Sequence, residues 1–164
     1  MAENKETKIE VTDENEMDLV KGLLKAADYK NEIHQTIKIE RNGTVLFKFK
    51  IRPLSYDEVN NCRKAATTFI PNPNGPKLPK IAKDVDTEEQ LAQSIYTATV
   101  PESDGSKIWD NQEVKEALKK QGHLIMTGPD VVKAVLTVGE LVAVDNAIDE
   151  ISGNNADVID YAKN

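Results

Sequence analysis

The sequence predicts an α+β protein, mostly helical, with one antiparallel β-hairpin at about 33–52 packed on a helical C-terminal half. Three observations lead there. Apolar residues recur at helical spacing in separate stretches between 14 and 151, they alternate with polar ones only over 33–51, and Asn42-Gly43 interrupts that alternation near its middle. Only 5% of the 164 residues are aromatic, which suits helices with a single ribbon.

Residues 1–16 hold too few apolar groups to offset the entropy of ordering them. They are expected to form a flexible acidic tail, with a short strand at 9–11. The rest divides into a single α+β domain at 17–153 and a C-terminal tail at 154–164. Asp13 and Glu16 fit a capping pattern, and Met17, Val20, Leu23, Leu24 and Ala27 follow at helical spacing, so a helix is expected over 14–27 despite Gly22.

In the hairpin, Ile37 and Ile39 share one parity before the Asn-Gly pair, and Val45, Phe47, Phe49 and Ile51 share the same parity after it. A two-residue loop would mix the two faces, because a slip of one residue flips every side chain. The parity therefore predicts a three-residue loop, Arg41-Asn42-Gly43, with Gly43 in a G1 bulge and Ile39 opposite Val45, Ile37 opposite Phe47 and Ile33 opposite Ile51. His34, Thr36, Lys38, Glu40, Lys48 and Lys50 then face water.

Pro53 ends the strand, and Ser55 with Glu58 forms a capping box behind it, Leu54 being placed to staple onto Val59. Val59, Cys62, Ala66 and Phe69 make the expected buried stripe of this helix. Four prolines and a glycine in 71–80 predict a mobile loop. Beyond it the pattern reads as helices only. One opens at Asp86 or Thr87 and carries Leu91, Ile95 and Ala98, and the next is capped by Asp110, with Trp109 stapling onto Val114 and Gly122 closing it. A third spans 129–136 from Pro129, and a fourth starts at Thr137 with Glu140 and buries Leu141, Val144, Ile148 and Ile151.

The net charge of -7 conceals a segregation: 1–29 carries four Lys against eight Asp/Glu, 30–83 eleven Lys/Arg against four, and 84–164 six Lys against sixteen, hence -4, +7 and -10. Solvated lysines, self-association of basic 30–83 with acidic 84–164, and nucleic-acid binding through Lys38, Lys48, Lys50, Arg52 and Arg63 are the three readings of that pattern. Cys62 is the single cysteine, so an internal disulfide and a CxxC site are excluded, and its place in an apolar stripe predicts an inert thiol. His34 and His123 keep no ligand spacing, the adjacent carboxylates Glu88-Glu89 and Asp149-Glu150 diverge around a helix, and no phosphate-binding or nucleophile-elbow motif is present. No catalytic, cofactor or metal residues are therefore expected, and no run is apolar enough for a signal peptide or membrane span, which predicts a cytoplasmic, non-enzymatic binding or assembly module.

The strand end Phe47 to Arg52 followed by Pro53, Leu54 and Ser55, the stretch LLKAAD at 23–28, IYTATVP at 95–101 and LTVGELVAVDNAIDEISG at 136–153 together resemble the XkdN-like tail assembly chaperones of contractile-tailed phages and defective prophages, in outline over 17–153. The insert at 71–80 has no counterpart in that likeness. The resemblance implies a morphogenesis protein without catalytic residues or cofactors. It would bind the tape measure protein, and the tail tube protein as a further partner, keep the former soluble in the bacterial cytoplasm while the tube assembles, and be absent from the finished virion. It implies a longer frameshifted product in many relatives. Ile51, Arg52, Pro53, Leu54 and Ser55 form the family-like motif, read as a structural junction, and client contact is expected from the helices of 84–164. A structural tail protein and a small nucleic-acid-binding regulator are the alternatives.

Overall fold

The computed structural model describes residues 18–153, except the side chains of 29–31. The tails expected at 1–16 and 154–164, with the strand at 9–11 and the Asp13 cap, lie outside these residues. The elements run α1 (Leu19–Glu32), β1 (Gln35–Arg41), β2 (Thr44–Ile51), α2 (Tyr56–Ala65), β3 (Thr67–Ile70), β4 (Ile81–Val85), α3 (Thr87–Ala98), a 3-10 turn at Ile108–Asp110, α4 (Gln112–Lys120), α5 (Gly128–Val135) and α6 (Val138–Ile151). This is an α+β fold with two separate antiparallel hairpins, β1-β2 and β3-β4.

The first hairpin corrects the predicted turn. Asn42 and Gly43 both have positive φ, 53° and 78°, and Arg41 pairs directly with Thr44, so the loop has two residues. Glu40 then pairs with Val45 but Ile39 with Phe47, leaving Leu46 as an extra residue within β2. The extra residue that the parity requires is present, but inside β2 and not at the turn, because a bulge within the strand realigns the faces as well as one at the turn. Beyond the bulge Ile37 faces Phe49 and Gln35 faces Ile51. The inward face then holds Ile37, Ile39, Phe47, Phe49 and Ile51, while His34, Thr36, Lys38, Glu40, Lys48 and Lys50 are exposed as expected.

The second hairpin was not foreseen. Its strands show almost no burial contrast, and the Pro-rich run 71–80 is its tip. Phe69 belongs to β3, not to α2, and is 46% exposed, as is Val59 at 41%, so the α2 stripe reduces to Cys62 and Ala66. Within the tip, Asn72 accepts from the Asn74 amide and donates to the Pro79 carbonyl, giving side-chain hydrogen bonds to a loop poor in backbone donors.

The core forms where α3 meets α5, α6 and the inner face of the ribbon, around Ile95, Val132, Leu141, Ile148, Ile51 and Trp109, all at most 2% exposed. Trp109 lies edge-on to Phe47 and Phe49 and donates its indole N–H to Thr99 Oγ1 at 2.8 Å. It is a core residue, so the expected staple onto Val114, which is 38% exposed, is replaced. The cap of α4 is likewise Asn111, whose side chain accepts from the Val114 amide, because Asp110 is drawn away to accept from the Tyr96 hydroxyl at 2.8 Å. Ser55 with Glu58 and Thr137 with Glu140 form the predicted capping boxes, and at the start of α5 Asp130 accepts from the Thr127 amide and hydroxyl.

Candidate functional site

Residues 51–55 occupy the junction between the ribbon and three helices. Ile51 is fully buried and bridges to Thr99, and the Arg52 amide donates to the Ala98 carbonyl at 2.9 Å, attaching β2 to the end of α3. The Arg52 guanidinium grips Glu58 with two hydrogen bonds, of 3.0 and 2.7 Å. Pro53 is buried, the Leu54 amide donates to Ser152 Oγ at the end of α6, and Ser55 caps α2. The five residues thus reach α2, α3 and α6, and the Arg52 guanidinium, the Leu54 amide and the Ser55 hydroxyl all bond within the protein itself.

Two carboxylates record this and a parallel clamp. Arg52 holds the Glu58 carboxyl down to about 2, with help from the Ser55 amide against some desolvation. Glu140 falls to about 2 through Arg41, which donates Nε and Nη2 to it and Nη2 to the Val135 carbonyl, tying the ribbon tip to the start of α6. Both folded values lie below the ordinary 4.5, so the stability they contribute is complete above about pH 5 and is lost as pH falls towards 2. Acid titration followed by circular dichroism should show the wild type losing stability over that window. Glu58→Gln and Glu140→Gln variants should each start less stable at pH 7 and show a shallower acid decline.

The predicted phosphate patch is divided. Lys38, Lys48 and Lys50 share the exposed face of the ribbon, Arg52 is neutralised by Glu58, and Arg63 stands on α2. Cys62 is 4% exposed with its sulfur 3.5 Å from Thr97 Oγ1, a packed position rather than an accessible nucleophile. Glu89 pairs with Lys133, and no group of three or more His, Cys, Asp or Glu among the described residues is arranged for a metal ion. No helix of the described residues is long and apolar enough to cross a membrane.

The helix expected near the N-terminus is present as α1, but the exposure of its apolar face was not legible in the sequence. On a helical projection Leu19, Val20, Leu23, Leu24 and Ala27 fall within an arc of about 140°, with Lys21, Lys25, Asp28 and Glu32 opposite. Such a stripe ordinarily faces a core. Here Leu19, Val20, Leu23 and Leu24 are 60–72% exposed, and no α1 residue belongs to the core cluster. The helix also starts later than expected among the described residues and runs on to Glu32. A helix of 14 residues is marginal in water without a surface to pack on, and among the described residues this face has none. The C-terminal helices spend most of their apolar residues inward: α5 and α6 bury Val131, Val132, Leu141, Val144 and Ile148 in the core, while Val138 and Val142, one turn apart on α6, and Leu124 and Met126 in the loop before α5 stay exposed.

No curated protein and no solved structure matches the chain. A family model described as Phage XkdN-like tail assembly chaperone protein matches residues 20–163, from the second residue of α1 onward. That span takes in most of the exposed helix, both hairpins and the helical core, and on it the chain belongs to the XkdN-like family of phage tail assembly chaperones.

Proposed function

We propose that this chain binds the tape measure protein of its phage or prophage in the bacterial cytoplasm, keeps it soluble while the tail tube assembles around it, and leaves before the particle is complete. The observation that carries this reading is the exposed leucine face of α1. An amphipathic helix can pair with an apolar stripe on a helical client, and one short helix offers only part of a stable interface, which suits a partner that must later be released. The role needs no catalytic step, and the junction at 51–55 serves to tie the ribbon to α2, α3 and α6.

Co-expression of the full chain with the tape measure protein encoded beside it, followed by pull-down, tests the placement. Leu23→Asp with Leu24→Asp should abolish capture and leave the melting temperature unchanged, since both side chains are already in water. Leu124→Asp with Met126→Asp should capture normally. Loss with the second pair and not the first would return the contact to 84–164.

The charge segregation supports a second reading, association of copies through basic 30–83 and acidic 84–164. Lys77, Lys80 and Lys83 near the tip of the second hairpin join the ribbon lysines as exposed cations. Raising salt from 50 to 500 mM shortens the screening length from roughly 14 to roughly 4 Å. An assembly of this kind should dissociate across that range in sedimentation, and an unchanged mass would remove it.

A further inference from the structure

We infer that two copies of this chain pair through the outer edge of β1, as antiparallel strands related by a two-fold axis at Ile39. The two strands of the ribbon differ in what covers their outer edges. The end of β2 is covered by 98–100, through the Ile51 to Thr99 bridge and the Val100 amide donating to the Lys50 carbonyl. Among the described residues, β1 has no strand on its other side. Its seven residues are long enough to template a further strand, and an uncovered edge of this kind is usually blunted or paired. A groove of about 380 Å³ runs beside it, between Thr36 to Glu40 and Glu140, Ala143 and Val144 of α6, so an incoming strand meets apolar surface as well as backbone.

The charges select the occupant. Lys38 stands directly opposite Lys48 in the ribbon, a like-charge pair that costs stability, and neither lysine is in an ion pair among the described residues. Glu40, two residues along on the same face, stands opposite uncharged Val45. Pairing β1 with its own copy about Ile39 places Lys38 of each strand opposite Glu40 of the other, twice. It also sets Ile39 beside Ile39 on the inner face. The alternatives do worse: an axis at Lys38 or at Glu40 brings like charges together, and an axis at Ile37 faces Lys38 with Thr36. The acid missing from the Lys38–Lys48 row is thus supplied by a second chain, and the resulting four-stranded sheet has β1 strands at its centre.

The test is a charge exchange within one strand, read by sedimentation of the full chain across a concentration series. Wild type should sediment as a dimer at 500 mM salt, where any larger assembly held by the basic and acidic segments has dissociated, because backbone bonds and apolar contact survive screening. Lys38→Glu and Glu40→Lys each turn two attractions into two repulsions and should weaken the dimer about tenfold or more. The double variant, Lys38→Glu with Glu40→Lys, restores both pairs with signs reversed and should recover the dimer. Both residues are exposed, so each single variant should keep the far-ultraviolet circular dichroism spectrum of the wild type and unfold cooperatively, which separates a broken interface from a broken fold. A wild type of one-chain mass at every concentration, single variants with wild-type mass, or a folded double variant that stays monomeric would each overturn the pairing.

Discussion

Replacing Trp109 with alanine should lower the unfolding free energy by about 3–5 kcal/mol, the range for truncating a buried aromatic side chain. The side chain is 2% exposed and lies edge-on to the two phenylalanines of the ribbon's inner face, with ring centroids 5.9 Å from Phe47 and 5.2 Å from Phe49, each at a steep interplanar angle. Its N–H is the donor to Thr99 Oγ1, and that hydroxyl in turn donates to the Ile95 carbonyl at 2.6 Å, so the truncation also removes a partner from a fully buried threonine. Trp109 therefore joins the inner face of the ribbon to the end of α3, and its loss opens a void at the meeting point. Trp109→Phe keeps a ring for the two phenylalanines and loses the indole N–H and the larger volume, so it should cost about half as much. Urea unfolding read by far-ultraviolet circular dichroism measures both. Fluorescence cannot serve, since this is the single tryptophan. A Trp109→Ala cost below about 1 kcal/mol would mean that the ribbon is not docked through this residue.

Trp109 also shows what a sequence conveys and what it does not. Its position before a helix was legible, and a staple onto Val114 is what local spacing suggests. The actual partners, Phe47, Phe49 and Thr99, are brought together only by the path of the chain between them. The same limit appears at the cap of α4, where Asp110 and Asn111 are both good N-caps in isolation and the Tyr96 hydroxyl decides between them. Elements with strong internal periodicity, α3 and α6 with their Asp86 and Thr137 caps, were readable because local preference and burial agree. The second hairpin was not, because β3 and β4 lie mostly in water and lack the alternation that one buried face imprints.

The candidate site divides along the same line. The leucine stripe of α1 is plain in the spacing of Leu19, Leu23, Val20 and Leu24, but periodicity reports only that a face is apolar, not whether the chain itself covers it. Exposure is a property of the assembled fold. For residues 51–55 the capping box and the proline stop were visible locally, whereas the Ser152 hydroxyl that accepts from the Leu54 amide comes from 98 residues away.

Gly128→Ala should be the second large loss, about 3 kcal/mol, because here a methyl group has nowhere to go. A Cβ at this position would lie 2.1 Å from Tyr96 Cε2, 2.6 Å from Cδ2 and 2.9 Å from Asp110 Oδ1. The Tyr96 ring is not free to yield. Its hydroxyl donates to Asp110 Oδ2, and the Lys107 ammonium sits 4.5 Å from the ring centroid while donating to the Tyr96 carbonyl at 2.7 Å. Burial and Asp110 together push the phenol up to about 12, so this hydroxyl stays protonated as a donor throughout the neutral range. The start of α5 is thus pressed against a tyrosine fixed from two directions, and moving either one disturbs how α5 sits on α3. A double-variant cycle isolates the contact. In a Tyr96→Ala background the added methyl enters the space the ring has left, and Gly128→Ala should then be neutral or stabilising by up to about 1 kcal/mol, as expected where alanine replaces glycine in a compatible helix. Equal costs in the two backgrounds, or a Gly128→Ala protein within about 0.5 kcal/mol of wild type, would show that α5 does not rest on Tyr96.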